Sequence, residues 1–304
     1  MDQFSRHYFG MIFRERFVDA RGDEFQKLFG RIMNIRYRGN FTQTRPWGRL
    51  GDDKCDGYLP SQRKFFQCYA PDDLAQAETL KKVKEDFEGA LPNAGRHFDT
   101  WVFAHNARDG RVPSWLTLEL DRLRQVHPNI TIETLGYWEL HHEALQLDQS
   151  QLVDLFGPFP TLRDLLSVQF EDVRPLLDYV ARQSAPVDTP PRPVPPTKLA
   201  YNRLSEDVEY CLRSGMIKAA VVRDFLDGTP DKELAARVTS AFRAEYDRLK
   251  QGEADPDRIF YGLRVFAQGQ FVQAPRTESA VLAMLAYLFE ECDIFERPPD
   301  ASQP

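Results

Sequence analysis

The sequence predicts an α/β protein in two parts, a mixed sheet flanked by helices in the N-terminal part and an all-α domain at the C-terminus. Three observations predict this. Segments with helical and with strand periodicity alternate through the first half of the chain. The stretch "RQSAPVDTPPRPVPPTK", residues 182–198, then carries six prolines and no sustained period, the composition of an extended, polyproline-like linker. Beyond it only the helical period remains. The expected organisation is therefore a domain over 1–181, a linker over 182–198 and a second domain over 199–304.

Each element rests on its own pattern. In "RGDEFQKLFGRIM", Phe25, Leu28, Phe29, Ile32 and Met33 recur at i, i+3, i+4, i+7 and i+8, one apolar face of a helix that opens after Gly22. "NIRYRGNFTQTR" alternates weakly and reads as extended. Strands are expected around Cys55 to Leu59 and from Lys64 to Tyr69, where β-favouring residues sit between turn formers. "DDLAQAETLKKVKEDFEGAL" predicts a helix capped by Asp72 or Asp73, "TWVFAHN" a short buried strand, "SWLTLELDRLRQVH" a helix and "ITIETLGYWEL" a further strand. After the linker, Leu204, Val208 and Leu212 precede Gly215. Leu234, Val238, Phe242 and Leu249, then Ile259, Leu263 and Phe266, then Val281, Leu285 and Phe289 continue at helical spacing. Pro230, Pro256 and Pro275 fall near the starts of three of these segments, where a missing N–H does little harm. No cluster of carboxylates, histidines or Ser/His pairs marks the C-terminal part, which reads as an interaction domain.

Composition narrows the function classes. The net charge of −7 hides an asymmetry, because residues 1–70 hold 13 Lys/Arg against 8 Asp/Glu while the remainder holds 26 against 38. The basic end is the first place to look for a polyanion, although ordinary surface variation also produces a difference of this size. The opening "MDQFSRHYFGMIFRERF" breaks its apolar runs with Arg and Glu, and nothing in the chain is long and apolar enough to span a bilayer, so a cytoplasmic protein is expected. Cys55, Cys68, Cys211 and Cys292 form no C-x-x-C pair, which argues against a zinc knuckle and a disulfide framework. Walker loops, serine nucleophile elbows and dinucleotide fingerprints are absent.

The chemistry-bearing stretch is "GDDKCDGYLPSQRKFFQCYAP", residues 51–71. Hydrolysing a phosphodiester with a metal requires hard oxygen ligands that leave positions open for water and a phosphate oxygen. Asp56 closes a turn before Gly57 and Gln67 lies on the next strand, so antiparallel pairing brings a carboxylate and an amide carbonyl together. In extended backbone Asp52, Lys54 and Asp56 share one face, and Gln67 and Tyr69 share another. A lysine beside a metal-binding aspartate can orient water and offset developing charge. The bland reading is a surface hairpin, since Asp, Gly and Lys favour such turns for backbone reasons alone. Glu24, likewise, sits in a first helical turn, where the dipole favours an acid. Arg31, Arg36, Arg38, Arg45 and Arg49, interleaved with Tyr37, Phe41 and Trp47, are either phosphate contacts or a solvated, partly stacked surface. His141 and His142 are adjacent on a helix and point to different faces, which speaks against shared ligation. His105 and Asn106 end a strand, where turn and capping roles are common.

A helix with "GDEF", a basic extended stretch, "GDDKCDGY" and the strand "FFQCYAP" together resemble the PD-(D/E)xK nuclease superfamily, in its Mrr-like restriction-endonuclease branch and the related effector nucleases of anti-phage systems. The resemblance spans roughly residues 15–160. It implies a restriction-endonuclease-like fold and a DNA endonuclease dependent on Mg²⁺ (or Mn²⁺), with Glu24, Asp56 and Gln67 as metal ligands and Arg36, Arg38, Arg45 and Arg49 on the DNA. The family's lysine, two residues after the strand ligand, is here Tyr69. Lys54 is the first candidate to replace it and Lys81 or Lys82 the second, while the Tyr69 hydroxyl can itself hydrogen bond a phosphate. The implied catalytic set is Asp56, Gln67, Lys54 and Tyr69.

"YNRLSEDVEYCLRSG" and "AVLAMLAYLFEECDIFERP" resemble the C-terminal domain of effector subunits in bacterial ABC-three-component conflict systems, a group overlapping Lamassu-type defence. That resemblance implies docking onto an SMC-like ABC ATPase and a middle component, with a nuclease held inactive by them and released or self-assembled into a homo-oligomer when foreign DNA is sensed. The departure at Tyr69 keeps a second expectation open, a catalytically inactive nuclease-like adaptor that binds DNA or scaffolds the ATPase. The acidic "EECDIFE" reads either as a docking surface or as a solvated helix end.

Overall fold

Aromatic side chains dictate the N-terminal architecture, because rings too large to leave half exposed fix which face of each element turns inward. The computed structural model describes residues 1–44, 55–107, 110–183, 198–252, 255–291, 294–296 and 298. Two compact units divide the chain, one formed by Phe13–Phe156 and the other by Met1–Ile12 with Gly157–Pro304. The expected linker falls largely outside the described residues, as do Lys54, Arg45 and Arg49. The division comes earlier than the sequence suggests, and residues 157–181 group with the C-terminal helices.

The first unit opens in helix α1 (Gln3–Asp19), whose later residues belong to it, and continues with α2 (Gly22–Arg36), β1 (Thr42–Gln43), β2 (Gly57–Leu59), β3 (Lys64–Tyr69), α3 (Gln76–Ala90), β4 (Thr100–His105), α4 (Ser114–Val126), β5 (Thr131–Leu135), α5 (Tyr137–Leu145) and α6 (Gln149–Phe156). The five strands lie in the order β1-β2-β3-β4-β5. β1, β2 and β3 form an antiparallel meander, and β3, β4 and β5 run parallel through the crossovers α3 and α4. Side chains alternate across β3, so Phe66 and Phe65 serve opposite faces. Phe66 meets Phe29 of α2 and Phe41, with ring centroids at 5.4 and 6.0 Å. Phe65 stacks on Phe98 and joins Val83 and Phe87 of α3, Trp101 and Phe103 of β4 and Leu116 of α4 in a buried layer. Each such side chain, fully buried, contributes about 1.5–3 kcal/mol. Gly57 is required where it stands, since a Cβ there would lie 2.4 Å from the Phe41 ring.

Several boundaries differ from expectation for local reasons. The "NIRYRGN" stretch begins as the last turn of α2 and continues as a turn, leaving only Thr42 and Gln43 extended. Helix α3 starts at Gln76 behind Ala75, so neither Asp72 nor Asp73 caps it. Strand β5 stops at Leu135, and Gly136 starts α5 with the Glu139 carboxylate accepting its N–H at 2.9 Å.

The second unit is helical, with α7 (Leu162–Leu166), α8 (Phe170–Ala181), α9 (Lys198–Tyr201), α10 (Glu206–Gly228), α11 (Leu234–Gly252), α12 (Pro256–Gln268) and α13 (Pro275–Glu290). α13 is buried on nearly every side and crosses α10 at Gly215, where a Cβ would come 2.6 Å from the Leu282 carbonyl oxygen. Residues 1–12 are part of this unit. Within it the Tyr8 hydroxyl donates to Glu278 at 2.5 Å, Arg264 reaches the same carboxylate at 3.2 Å, and His7 contacts Asp207 at 2.8 Å. Glu278 is fully buried, and both donors reach its Oε2, which offsets part of the cost of burying the carboxylate while Oε1 has no hydrogen-bond partner.

Gly215→Val should destabilise the helical unit by about 1–3 kcal/mol, because the backbone at Leu282 has nowhere to move. Tyr8→Phe should cost about 1.5–3 kcal/mol by removing a hydrogen bond to a buried charge. Urea denaturation checks both, and wild-type midpoints would contradict the packing described.

Candidate functional site

Asp56 stands where the β2–β3 ladder ends. Its N–H donates to the Phe66 carbonyl at 2.8 Å, and its own carbonyl accepts the Thr44 N–H at 3.2 Å. Its carboxylate then continues the pairing: Oδ2 accepts the Cys68 N–H at 2.7 Å and Oδ1 accepts the Gln26 side-chain amide at 2.6 Å. Gln67, the residue before Cys68, is 5% exposed, and its Oε1 has no hydrogen-bond partner. A buried acceptor left unsatisfied costs about 1–3 kcal/mol.

These groups fit a hard cation. Mg²⁺ takes one or two protein carboxylates and completes its shell with water and phosphate oxygens, so Asp56 and the orphaned Gln67 oxygen suit it as two ligands. The third expected ligand does not join them. Glu24 is exposed and pairs with Lys27 at 2.6 Å, and α2 presents Gln26 to Asp56 instead. Residues two apart on a helix do not face the same way, which separates Glu24 from Gln26. Among the described residues no group of three His, Cys, Asp or Glu side chains is arranged to hold a metal ion.

The other expected site residues are distributed as follows. Tyr69 is half-buried, its ring 6.1 Å from Phe103. Lys81 pairs with Glu85 at 3.8 Å and Lys82 with the fully buried Asp86 at 2.9 Å, so both are engaged along α3. Arg36 pairs with Glu143 at 3.2 Å and lies over the Tyr37 ring, which ties its charge internally. Arg38 is exposed, and Lys54, Arg45 and Arg49 lie outside the described residues. Arg31, one of the expected phosphate contacts, lines a groove of about 570 Å³ with Arg16 and Lys27, which the sequence reading did not single out, together with Asp19, Glu24, Leu28 and Phe156.

The remaining reactive side chains are structural. Burial pushes the Cys55 thiol up to about 12 and the Cys68 thiol well above its ordinary value, so neither is a ready thiolate. His105 is buried, its Nδ1 accepts the Ala107 N–H at 3.2 Å, and burial lowers its pKa to about 4 against a smaller upward pull from Glu139. Asn106 donates to the Ala20 carbonyl at 2.8 Å. His141 packs between the Phe13 and Tyr137 rings, with centroids at 5.0 and 5.6 Å.

At the C-terminus, "EECDIFE" does not present its apolar residues outward. Ile294 and Phe295 are buried, Phe295 against Tyr246 and Phe289, and the buried Lys198 ammonium donates to the Phe289 and Ile294 carbonyls at 2.9 and 2.5 Å. Arg223 pairs with Glu290 and Glu291, and Glu296 with Lys250.

Comparison with known families assigns this second unit. Residues 171–296 match the family model of C-terminal domain 10 of the ABC-three component (ABC-3C) systems, so the chain carries a domain of those multi-component systems. The match begins within α8, in keeping with the grouping of that helix with the C-terminal ones. No curated protein and no solved structure matches the chain. Among the described residues no helix is long and apolar enough to cross a membrane.

The His105 environment has a pH consequence. Its folded pKa of about 4 lies below the ordinary 6.5, so between these values the unfolded chain binds the extra proton. The stability tied to neutral His105 is therefore complete above about pH 6.5 and falls by about 1.4 kcal/mol per unit as the pH drops toward 4. In urea denaturation, the stability advantage of wild type over His105→Asn should shrink across that window. A constant difference would contradict a buried neutral imidazole.

Proposed function

We propose that the protein is the effector component of an ABC-three component anti-phage system and that its α/β unit is a metal-dependent DNA endonuclease. What supports the nuclease reading is a buried Asp56 carboxylate fixed at the end of the β2–β3 ladder, with a buried Gln67 amide oxygen on β3 that has no hydrogen-bond partner. The element order gives further support, because α2, β1, β2 and β3 follow the order of helix, extended stretch, turn and strand on which the PD-(D/E)xK resemblance rests. The C-terminal domain match supports the system, and within it the helical unit is the part that engages the partner subunits.

In this reading Asp56 and Gln67 would hold the ion, and the chemistry it would supply is activation of water toward a phosphodiester. Gln26 and the Cys68 N–H fix the carboxylate, and Tyr69 and Lys54 are the residues of the motif left to contact the phosphate. Arg16, Lys27 and Arg31 along the groove, with Arg38, suit the nucleic-acid backbone, which is bound chiefly through Lys and Arg. A second reading has its own observation. With Glu24 paired to Lys27 and Tyr69 in the lysine position, the same unit suits an adaptor that binds DNA without cutting it.

Plasmid nicking with Mg²⁺ or Mn²⁺ separates the two. Asp56→Ala and Gln67→Ala should each lower the cleavage rate by at least about a hundredfold, as loss of a metal ligand implies. Unchanged nicking in Asp56→Ala would sink the catalytic assignment. If neither the free protein nor the complex with its partners cuts DNA while both bind it, the adaptor reading stands.

A further inference from the structure

We propose that Gln26, rather than the acidic Glu24, is the residue of α2 that serves the site, acting as the positioning residue of Asp56. The inference rests on the metal-site reading of Asp56 and Gln67. Gln26 Nε2 lies 2.6 Å from Asp56 Oδ1, a short contact for an amide donor and one in keeping with a charged acceptor. Asp56 is 8% exposed, and apart from Gln26 its carboxylate is held by the Cys68 N–H on Oδ2. One donor comes from β3 and the other from α2, so the orientation of the carboxylate is fixed from two elements.

Gln26 is itself anchored. Its backbone carbonyl accepts the Gln43 side-chain amide at 3.4 Å, linking β1, α2 and the β2–β3 end through consecutive amides. The side chain is half-buried on a helix whose neighbouring residues Phe25 and Phe29 are fully buried, Phe25 against Phe17 and Phe29 against Phe41 and Phe66, which anchors the helix with Gln26 toward Asp56. Glu24 is exposed and engaged with Lys27. A neutral donor at position 26 also avoids setting a second carboxylate against Asp56 at hydrogen-bond distance, where like charges repel.

The test uses the full chain and Mn²⁺ as probe, read as the metal-induced rise in Tm and as affinity by titration calorimetry. Gln26→Met keeps the length and helix preference of the side chain and removes the donor. It should weaken Mn²⁺ binding by about 10–100-fold, the range for groups that orient a metal ligand, with the urea midpoint of the metal-free protein nearly unchanged. Glu24→Ala should bind Mn²⁺ as wild type does. Wild-type affinity in Gln26→Met, or an equal loss in Glu24→Ala, would overturn the assignment to Gln26 while leaving the metal site standing. A wild-type protein that shows no Mn²⁺ response would overturn the metal reading itself and this inference with it.

Discussion

Where β2 runs out, β3 is left with a part-buried N–H at Cys68 beyond the β2 ladder, and the Asp56 carboxylate satisfies it. The second oxygen of that carboxylate is bound by Gln26, so one side chain ties the meander to α2. Burying an ionised group is unfavourable unless it is hydrogen bonded, and an orphaned backbone N–H costs as much as a lost bond. Asp56 removes both penalties at once. A residue doing this for the fold is held more rigidly than a surface acid, which is what a metal or phosphate site needs from its first ligand. The structural reading of the hairpin and the chemical one are therefore not rivals.

The helical unit is organised by a different buried acid. Glu278 is fully enclosed on α13, and its donors come from α12 through Arg264 and from the first helix of the chain through Tyr8. Residues 1–12 are thus structurally part of the domain whose family match begins only at residue 171. The Lys198 ammonium does for the far end what Glu278 does for the middle, binding the carbonyls of Phe289 and Ile294 so that the end of α13 and the segment after it stay packed. Buried charges of this kind add little net stability but penalise any arrangement that leaves them unpaired.

How much was legible in the sequence follows from which constraints are local. The α2 face, the β3 span and the α10 to α13 spacings were readable because periodicity alone determines them. The first helix was not, because its buried residues include Phe4, Tyr8, Phe9, Ile12, Phe13 and Phe17, divided between two units, so no single 3.6-residue stripe exists. Leu28 was read onto the apolar face of α2 yet is half-buried, lining a groove. At the site, Asp56 and Gln67 were identifiable as a turn acid and a strand amide, whereas Gln26 was not. An uncharged side chain two residues from a conspicuous glutamate carries no signal until the fold shows which of the two faces the strand end.

The arrangement around Asp56 also bears on control in the proposed system. Among the described residues the proposed ligands are one carboxylate, Asp56, and one amide, Gln67, with Gln26 donating to the carboxylate, so the site carries less negative charge than one with two or three acids. Fewer charged ligands mean weaker binding of a divalent cation and a larger share of the shell left to water and to phosphate oxygens. In the proposed endonuclease, ion and substrate then bind cooperatively, each supplying what the other lacks. In the proposed effector, partner subunits that cover the groove at Arg16, Lys27 and Arg31 would withhold DNA and, with it, the phosphate oxygens that complete the ion's shell.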